Sequence, residues 1–383
     1  MRFCCVLDSA SSGAGLPNEH SDGMRTIAFY ISRMLLARFT LLLAGMVAFL
    51  VGLDLMVNAN GLLAEGEGVA ALGRYALLRS PTILSDVIKI ATLLAGLLTF
   101  ATLIRHGELT AIWNSGVSQF GLFLRLLPLA AVLGALQFAV DDFAVPPGVE
   151  GLRAWGVGEF ERPQAAGNTD GVTWIHAGHD IVRIPTDNIA ADTLRDFTIF
   201  ERDEQGGLLA RLDVGEARYD GDFWVLSDIT RRGSNGGPAV REETRDWRIA
   251  LDPKSLEHLA SHPRHLSYDQ ISRFAGGDGQ GTFAPYLYRT WLYEKVTTCL
   301  VPLLMLLLSA ALAQQSHRAG RVEVLLLGGV AIGFAFFIFN GVALAMGEVG
   351  LLPPLVASGA PLAAFTAVAM SVIYWHELKS RPG

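Results

Sequence analysis

The sequence predicts an α-helical integral membrane protein with six transmembrane helices plus a periplasmic all-β jelly-roll-like domain. Three observations predict it: six long apolar runs, a polar acidic block set between them, and strand-and-turn patterning confined to that block. Of the 383 residues 51% are hydrophobic and 17% charged, against roughly 25% charged in soluble proteins. A disordered chain is thereby excluded. The net charge of −7 and the four lysines (Lys89, Lys254, Lys295, Lys379) leave no basic stripe for a phosphate backbone, so no nucleic-acid partner is expected. Cys4, Cys5 and Cys299 supply neither a disulfide framework nor zinc-ligand spacing.

A bilayer core of about 30 Å needs about 20 helical residues. Three charge-free runs, Phe39–Leu53, Ile90–Ile104 and Leu126–Val140, reach that length with flanking residues whose charged tips snorkel. Val296–Ala313, Val324–Gly347 and Val349–Trp375 follow the polar block, the last two joined by a tight turn near Gly350–Pro354. Residues 142–289 hold 24 acidic and 16 basic residues, the rest of the chain 13 and 14. The acidic block therefore reads as one soluble domain.

Arginines and lysines near the span ends set the orientation. Arg25, Arg33 and Arg38, Arg105 and Arg125, Arg318 and Arg321, and Lys379 and Arg381 all fall on one side if both termini are cytoplasmic. The expected domains are 1–23, a non-structural N-terminal extension; 24–142, spans one to three with a cytoplasmic coupling helix at 108–117; 143–288, the periplasmic β domain; and 289–379, spans four to six. Residues 1–23 are Ser/Gly-rich without an apolar core, unlike a signal peptide, and Met24 opens a cleaner amphipathic start.

Within the block, TWIHAGHDIVRI alternates around Ala177-Gly178, FTIFERDEQGGLLARL turns at Gln205-Gly206-Gly207, and ARYDGDFWVLSDI turns at Asp220-Gly221. Evenly spaced hairpins suggest a sandwich or jelly roll. Trp174, Trp224 and Trp247 suit a core or sheet face better than ligand stacking. His176 and His179 straddle a turn, and His258, His262 and His265 have helical spacing; Pro263 interrupts that helix and no third ligand is fixed beside either group, so surface histidines are favoured over a metal site.

No G-x-x-x-x-G-K-[ST] and no G-x-S-x-G occurs, so the expectation is a non-enzyme without catalytic residues, metal or cofactor of its own. Asp54, Asp86, Lys89, Asp141, Asp142, Glu294 and Lys295 each sit near a span end, which favours interfacial roles. Gly329 and Gly333 form GxxxG, continued by Gly341 and Ala345, a face for a partner or for intramolecular packing. Phe334, Phe336, Phe337 and Phe339 give the same helix a bulky surface for bilayer lipid or for a substrate's acyl chains. In RHGELTAIWNSGVS, Leu109, Ile112, Trp113 and Val117 mark one apolar face of a short helix, with Glu108 at its start, Gly116 as C-cap and Ser118 as the next N-cap. Such a helix at the membrane surface is either an ordinary interfacial loop or a grip for a cytosolic motor.

On these segments the chain resembles the lipopolysaccharide export permeases LptF and LptG, the LptG type being favoured. The resemblance runs from about Met24 to Lys379. It rests on GELTAIWNSGVS, similar to the family's coupling segment; on FAVPPGVEGLRAWG at the exit of the third span; on YDGDFWVLSDI in the β domain; and on YRTWLYEKVTTCLVPLLMLLLSAAL and GLLPPLVASGAPL in the fourth and sixth spans. It implies an inner-membrane subunit paired with a second six-span, LptF-like permease, two copies of the LptB ATPase that use ATP and Mg, and the periplasmic protein LptC. Lipopolysaccharide would enter between first and fifth spans and leave along jelly-roll domains. By position, Glu108 would contact the ATPase, with Leu109, Ile112, Trp113 and Gly116 shaping the docking helix; Met46, Phe49, Leu50, Leu53, Phe334 and Phe337 would line the lipid cavity. LptG-type chains can carry a lysine cluster after the first span, whereas DLMVNANGLLAEGEGVAALGRY offers Arg74 and then Arg79 as candidates for the lipid's phosphates. The rival readings are a membrane-anchored periplasmic binding or sensor module, and a subunit of another ATP-driven lipid or lipoprotein exporter.

Overall fold

The computed structural model describes residues 19–64, 69–114, 119–156, 172–177, 179–185, 189–190, 193–203, 206–221, 223–234, 236–247, 262–276, 283–319 and 322–380. Helix α1 (Glu19–Ala64) starts inside the stretch 1–23 expected to lack structure, and α2 (Val69–Arg105) packs along it. Gly107, at φ +72, closes α2 by donating to the Ile104 carbonyl (3.1 Å) and turns the chain into α3 (Glu108–Asn114). A positive φ there favours glycine because a Cβ would strain the backbone.

Helix α4 (Gln119–Ala139) runs without interruption into a π-helical turn, Val140–Ala144, and α5 (Val145–Trp155). The third span thus extends past residue 143, and α5 lies against α2. It stops at Gly156 (φ +75), whose N–H donates to Leu152 and Arg153 carbonyls.

Strands β1 (Val172–Ala177), β2 (Asp180–Pro185), β3 (Ile189–Ala190), β4 (Thr193–Arg202), β5 (Leu208–Tyr219), β6 (Trp224–Gly233) and β7 (Val240–Trp247) form one antiparallel sheet in the order β1-β2-β4-β5-β6-β7, with β3 beside β4. The three hairpins fall where the turn residues place them: Ala177 pairs with Asp180, Arg202 with Leu208, and Tyr219 with Trp224. Alternating residues Ile199, Leu212, Trp224 and Leu226 are buried on one face, covered by Ile271 and Phe274 of α6 (Tyr268–Gly276) and Tyr288 of α7 (Pro285–Thr298). Trp224 is the buried core tryptophan; Trp174 is exposed and stacks on Phe200 at 5.8 Å. The charged, exposed β7 (VREETRDW) suits an edge strand, since charge there discourages pairing with another chain.

Helix α8 (Val301–Ala319) follows α7 after a 51° bend, so the expected straight span Val296–Ala313 is two helices. Pro302 accounts for the bend: it has no N–H to give the Thr298 carbonyl, and its ring restricts Val301. Gly134 of α4 fits this break so closely that a Cβ would collide with the Cys299 carbonyl oxygen. Helix α9 (Val322–Glu348) turns at Gly350 into α10 (Pro354–Ser380). Among the described residues five helices are long and apolar enough to cross a membrane, or six if the α7–α8 pair counts as one span. The chain is therefore a mostly helical, membrane-type bundle with a separate antiparallel sheet domain.

Candidate functional site

At one end of the bundle, α3 is seated by its apolar side. Leu109 and Ile112 are buried against a cluster that includes Phe100, Leu122 and Leu126, while Ala111 is exposed and Glu108 half-buried. The spacing that predicted an apolar face is thus used to anchor the helix, and its outward face begins with a carboxylate. The backbone of Trp113 is helical; its side chain, Gly116, Val117 and Ser118 lie outside the described residues.

Helix α1 has an uncovered flank. Phe49, Leu50 and Leu53 are exposed and Met46 half-buried, and no residue of its most apolar stretch is buried within the chain. On α9, Phe334 is 66% exposed, whereas Phe337 is half-buried, packs edge-on to Phe336 at 5.5 Å and lines a polar cavity inside the bundle. Gly329 and Gly333 face Leu97 and Leu93 of α2, so the GxxxG motif serves packing within the chain. An uncovered helix this apolar needs lipid or a partner against it.

Where the first span ends, Asp54 is held by three groups. Tyr75 donates its hydroxyl at 2.8 Å, Arg79 lies at 3.2 Å, and Asn58 bridges from Tyr75 (3.1 Å) to the Asp54 carbonyl (2.9 Å). Arg79 is therefore the counter-ion of Asp54, and Arg74 is exposed with its guanidinium 4.6 Å over the Trp155 ring. Of the two phosphate candidates, Arg74 is the one that lies at the surface.

Sequence reasoning left Asp86, Lys89, Asp141, Glu294 and Lys295 scattered at separate span ends. They surround one cavity of about 330 Å³ between α2, the π-helical turn, α7 and α9, with Arg264 and His265 at its rim. Ser85 donates to Asp141, whose other oxygen accepts from Gln137 at 2.9 Å. Lys295 reaches the Asp141 carbonyl (3.0 Å) and the Asp142 carboxylate (3.3 Å). Glu294 accepts from Asn340 and Thr298, each at 3.2 Å, and Glu348 from the Trp291 indole at 2.9 Å. Two signals could have found the cavity: Thr82, Ser85, Asp86 and Lys89 form an i, i+3, i+4, i+7 stripe on one helix, and Asn340 stands alone in the apolar α9.

His262 has extended backbone (ψ 135°) before a single 3-10 turn, Pro263–His265, so these histidines do not share the helical face that their spacing suggested. His258 lies outside the described residues. Burial, followed by the Arg264 charge, pushes His265 down to about 3, and burial also lowers His176. Among the described residues no group of three His, Cys, Asp or Glu has metal-binding geometry.

A family profile described as "Lipopolysaccharide export system permease LptF/LptG" matches residues 29–375. The chain is similar to the lipopolysaccharide export system permease protein LptG of Escherichia coli K12, at 22% identity over 311 residues, which cover 78% of this chain and 84% of the relative. It is also 22% identical over 310 residues to the LptG of Haemophilus influenzae Rd, covering 76% and 83%.

Proposed function

Because the chain belongs to the lipopolysaccharide export permease family LptF/LptG, we propose that it is the permease subunit of an ATP-binding-cassette exporter that extracts lipopolysaccharide from the inner membrane. In this reading both termini are cytoplasmic, the sheet domain is a periplasmic jelly roll that passes the lipid to an LptC-like bridge, and the bent α7–α8 pair is the fourth of six spans. The family match over 29–375 carries it. The relatives that it resembles are named as components of the same export system.

The mechanism follows from where the chain is anchored and where it is bare. The chain carries no phosphate-binding G-x-x-x-x-G-K-[ST] motif, so energy arrives through partners: an LptB-like ATPase pair gripping α3. Leu109 and Ile112 make α3 rigid with the bundle, and Glu108 at its first turn meets a basic group of the ATPase. ATPase closure then moves α3 and the bundle together as a rigid body. The exposed flanks of α1 (Phe49, Leu50, Leu53) and α9 (Phe334) meet a paired LptF-like permease across the lipid-holding cavity. Rearranging the two subunits narrows that cavity and drives acyl chains toward the sheet domain.

Glu108→Arg tests the coupling. The variant should lose the co-purifying ATPase while the sheet domain keeps its tryptophan fluorescence; undiminished ATPase recovery would refute the role of Glu108.

A further inference from the structure

Motor coupling and cargo passage give no role to the polar groups of the cavity ringed by α2, α7 and α9, although Phe337, expected to line the lipid path, borders it. Its carboxylates are each held: Asp86 by Arg264 (2.6 Å), Asp141 by Ser85 and Gln137, Glu294 by Asn340 and Thr298, and Glu348 by Trp291. Two lining groups differ. Among the described residues Lys89 makes no hydrogen bond or ion pair within 4 Å, its charge acting on Glu294 from farther off, and the Thr82 hydroxyl, in a residue only 7% exposed, is buried without a partner. A buried hydroxyl left unpaired destabilises the fold, and an ammonium in a part-buried site does so more strongly. Both are relieved by a ligand that supplies acceptor oxygens.

The way in is from the side. Gly341 and Ala345, one turn apart on α9, line the cavity and are exposed, and a Cβ on Gly341 would meet nothing within 4 Å. Around them Phe334, Ile338 and Val342 present an apolar surface 66, 53 and 54% exposed. An occupant entering there keeps hydrocarbon outside and a polar end inside. About 330 Å³ is at the lower end of the roughly 300–1,000 Å³ of small-molecule sites, so it admits one head group and no acyl chains. Charge narrows the class further. Lys89 and Arg264 suit a phosphodiester, whereas Glu294 and Glu348 would repel a purely anionic head group and accept hydrogen bonds from a primary ammonium.

We propose that this cavity binds the phosphoethanolamine head group of a membrane phospholipid entering between Gly341 and Ala345. Lys89 and Thr82 take the phosphate, and Glu348 and Glu294 take the ammonium. The proposal rests on the bundle spanning a membrane and on the stretch of α9 between Gly341 and Ala345, whose flank faces the lipid-holding cavity in the export reading, being open to bilayer phospholipid.

Native mass spectrometry of the full chain, with whatever subunits co-purify, in detergent carrying equal amounts of phosphatidylethanolamine, phosphatidylglycerol and phosphatidylcholine tests it. Phosphatidylethanolamine should be retained about tenfold over the others, a difference of about 1.4 kcal/mol. Lys89→Gln and Gly341→Leu should each abolish that preference; if Gly341→Leu does not fold, Ala345→Leu probes the same mouth. Equal retention of phosphatidylglycerol, or an unchanged preference in the variants, would overturn the site. Competition by water-soluble glycerophosphoethanolamine as strong as by the lipid would overturn the lateral entry. Failure to recover an ATPase, with the lipid preference intact, would count against the export reading and leave this site standing.

Discussion

Lys295 on α7 lies 3.3 Å from Asp142 in the π-helical turn, the two side chains only 5% and 13% exposed, and its ammonium also donates to the Asp141 carbonyl at 3.0 Å. The π-helical turn lets neighbouring aspartates work in different directions. Asp141 binds α2 through Ser85, while Asp142 binds α7 and accepts the Tyr268 N–H (2.5 Å) at the start of α6. Because α6 covers the sheet, this turn links the sheet domain's core to two helices of the bundle, α2 and α7.

Removing one member of a buried pair strands the other, which costs about 3–5 kcal/mol, whereas replacing both with apolar groups is often neutral. Lys295→Met should therefore lower thermal stability strongly, and adding Asp142→Leu should restore most of it. Tryptophan-fluorescence melts of Lys295→Met, Asp142→Leu and the double variant check this; additive losses would show that the pair is not coupled.

Gly134 faces the carbonyl of Cys299 at the bend between α7 and α8, and backbone cannot move aside as a side-chain tip can. Gly134→Val should reduce the yield of monodisperse protein after mild heating. Gly45→Val, where a Cβ meets nothing within 4 Å, should leave it unchanged in size-exclusion chromatography.

Burial and then the charges of Arg264, Arg153, His262 and Arg79 hold His265 at about 3, below its ordinary 6.5. The unfolded chain then binds a proton that the folded chain refuses, so this contribution to stability is complete above about pH 6.5 and is lost as pH falls toward 3. Melting temperature should decline across that window, and His265→Asn should flatten the decline. An identical pH profile for the variant would exclude His265 as its source.

Leu109 fixes α3 to the bundle, being 1% exposed in the same cluster as Phe100 and Leu122. Leu109→Ala should destabilise by about 2–5 kcal/mol and weaken ATPase retention. Exposed Ala111, changed to Arg, should weaken retention alone. Pull-down and melting measured on the same samples separate the two effects.

Local patterns carried much of the fold. The hairpins that pair Ala177 with Asp180 and Tyr219 with Trp224 are short-range events, and the apolar runs declare themselves by composition. Leu109 and Ile112 were legible as one face, although spacing cannot tell a face turned to a partner from one turned to its own bundle. The polar cavity was not legible: Asp86, Asp141 and Glu294 are separated by 55 and 153 positions, so each alone reads as an interfacial charge. The bend at Cys299 was missed for the opposite reason. Pro302 marks it in the sequence, yet an uninterrupted apolar run hides a break when only hydropathy is weighed.

The most direct test is gentle detergent purification of the tagged chain, followed by mass spectrometry of co-purifying proteins and bound lipid. A P-loop ATPase, a second six-span permease and a lipid A-bearing glycolipid are the expected companions. A chain recovered alone, without ATPase and without that glycolipid, would contradict its role as the permease of a lipopolysaccharide exporter.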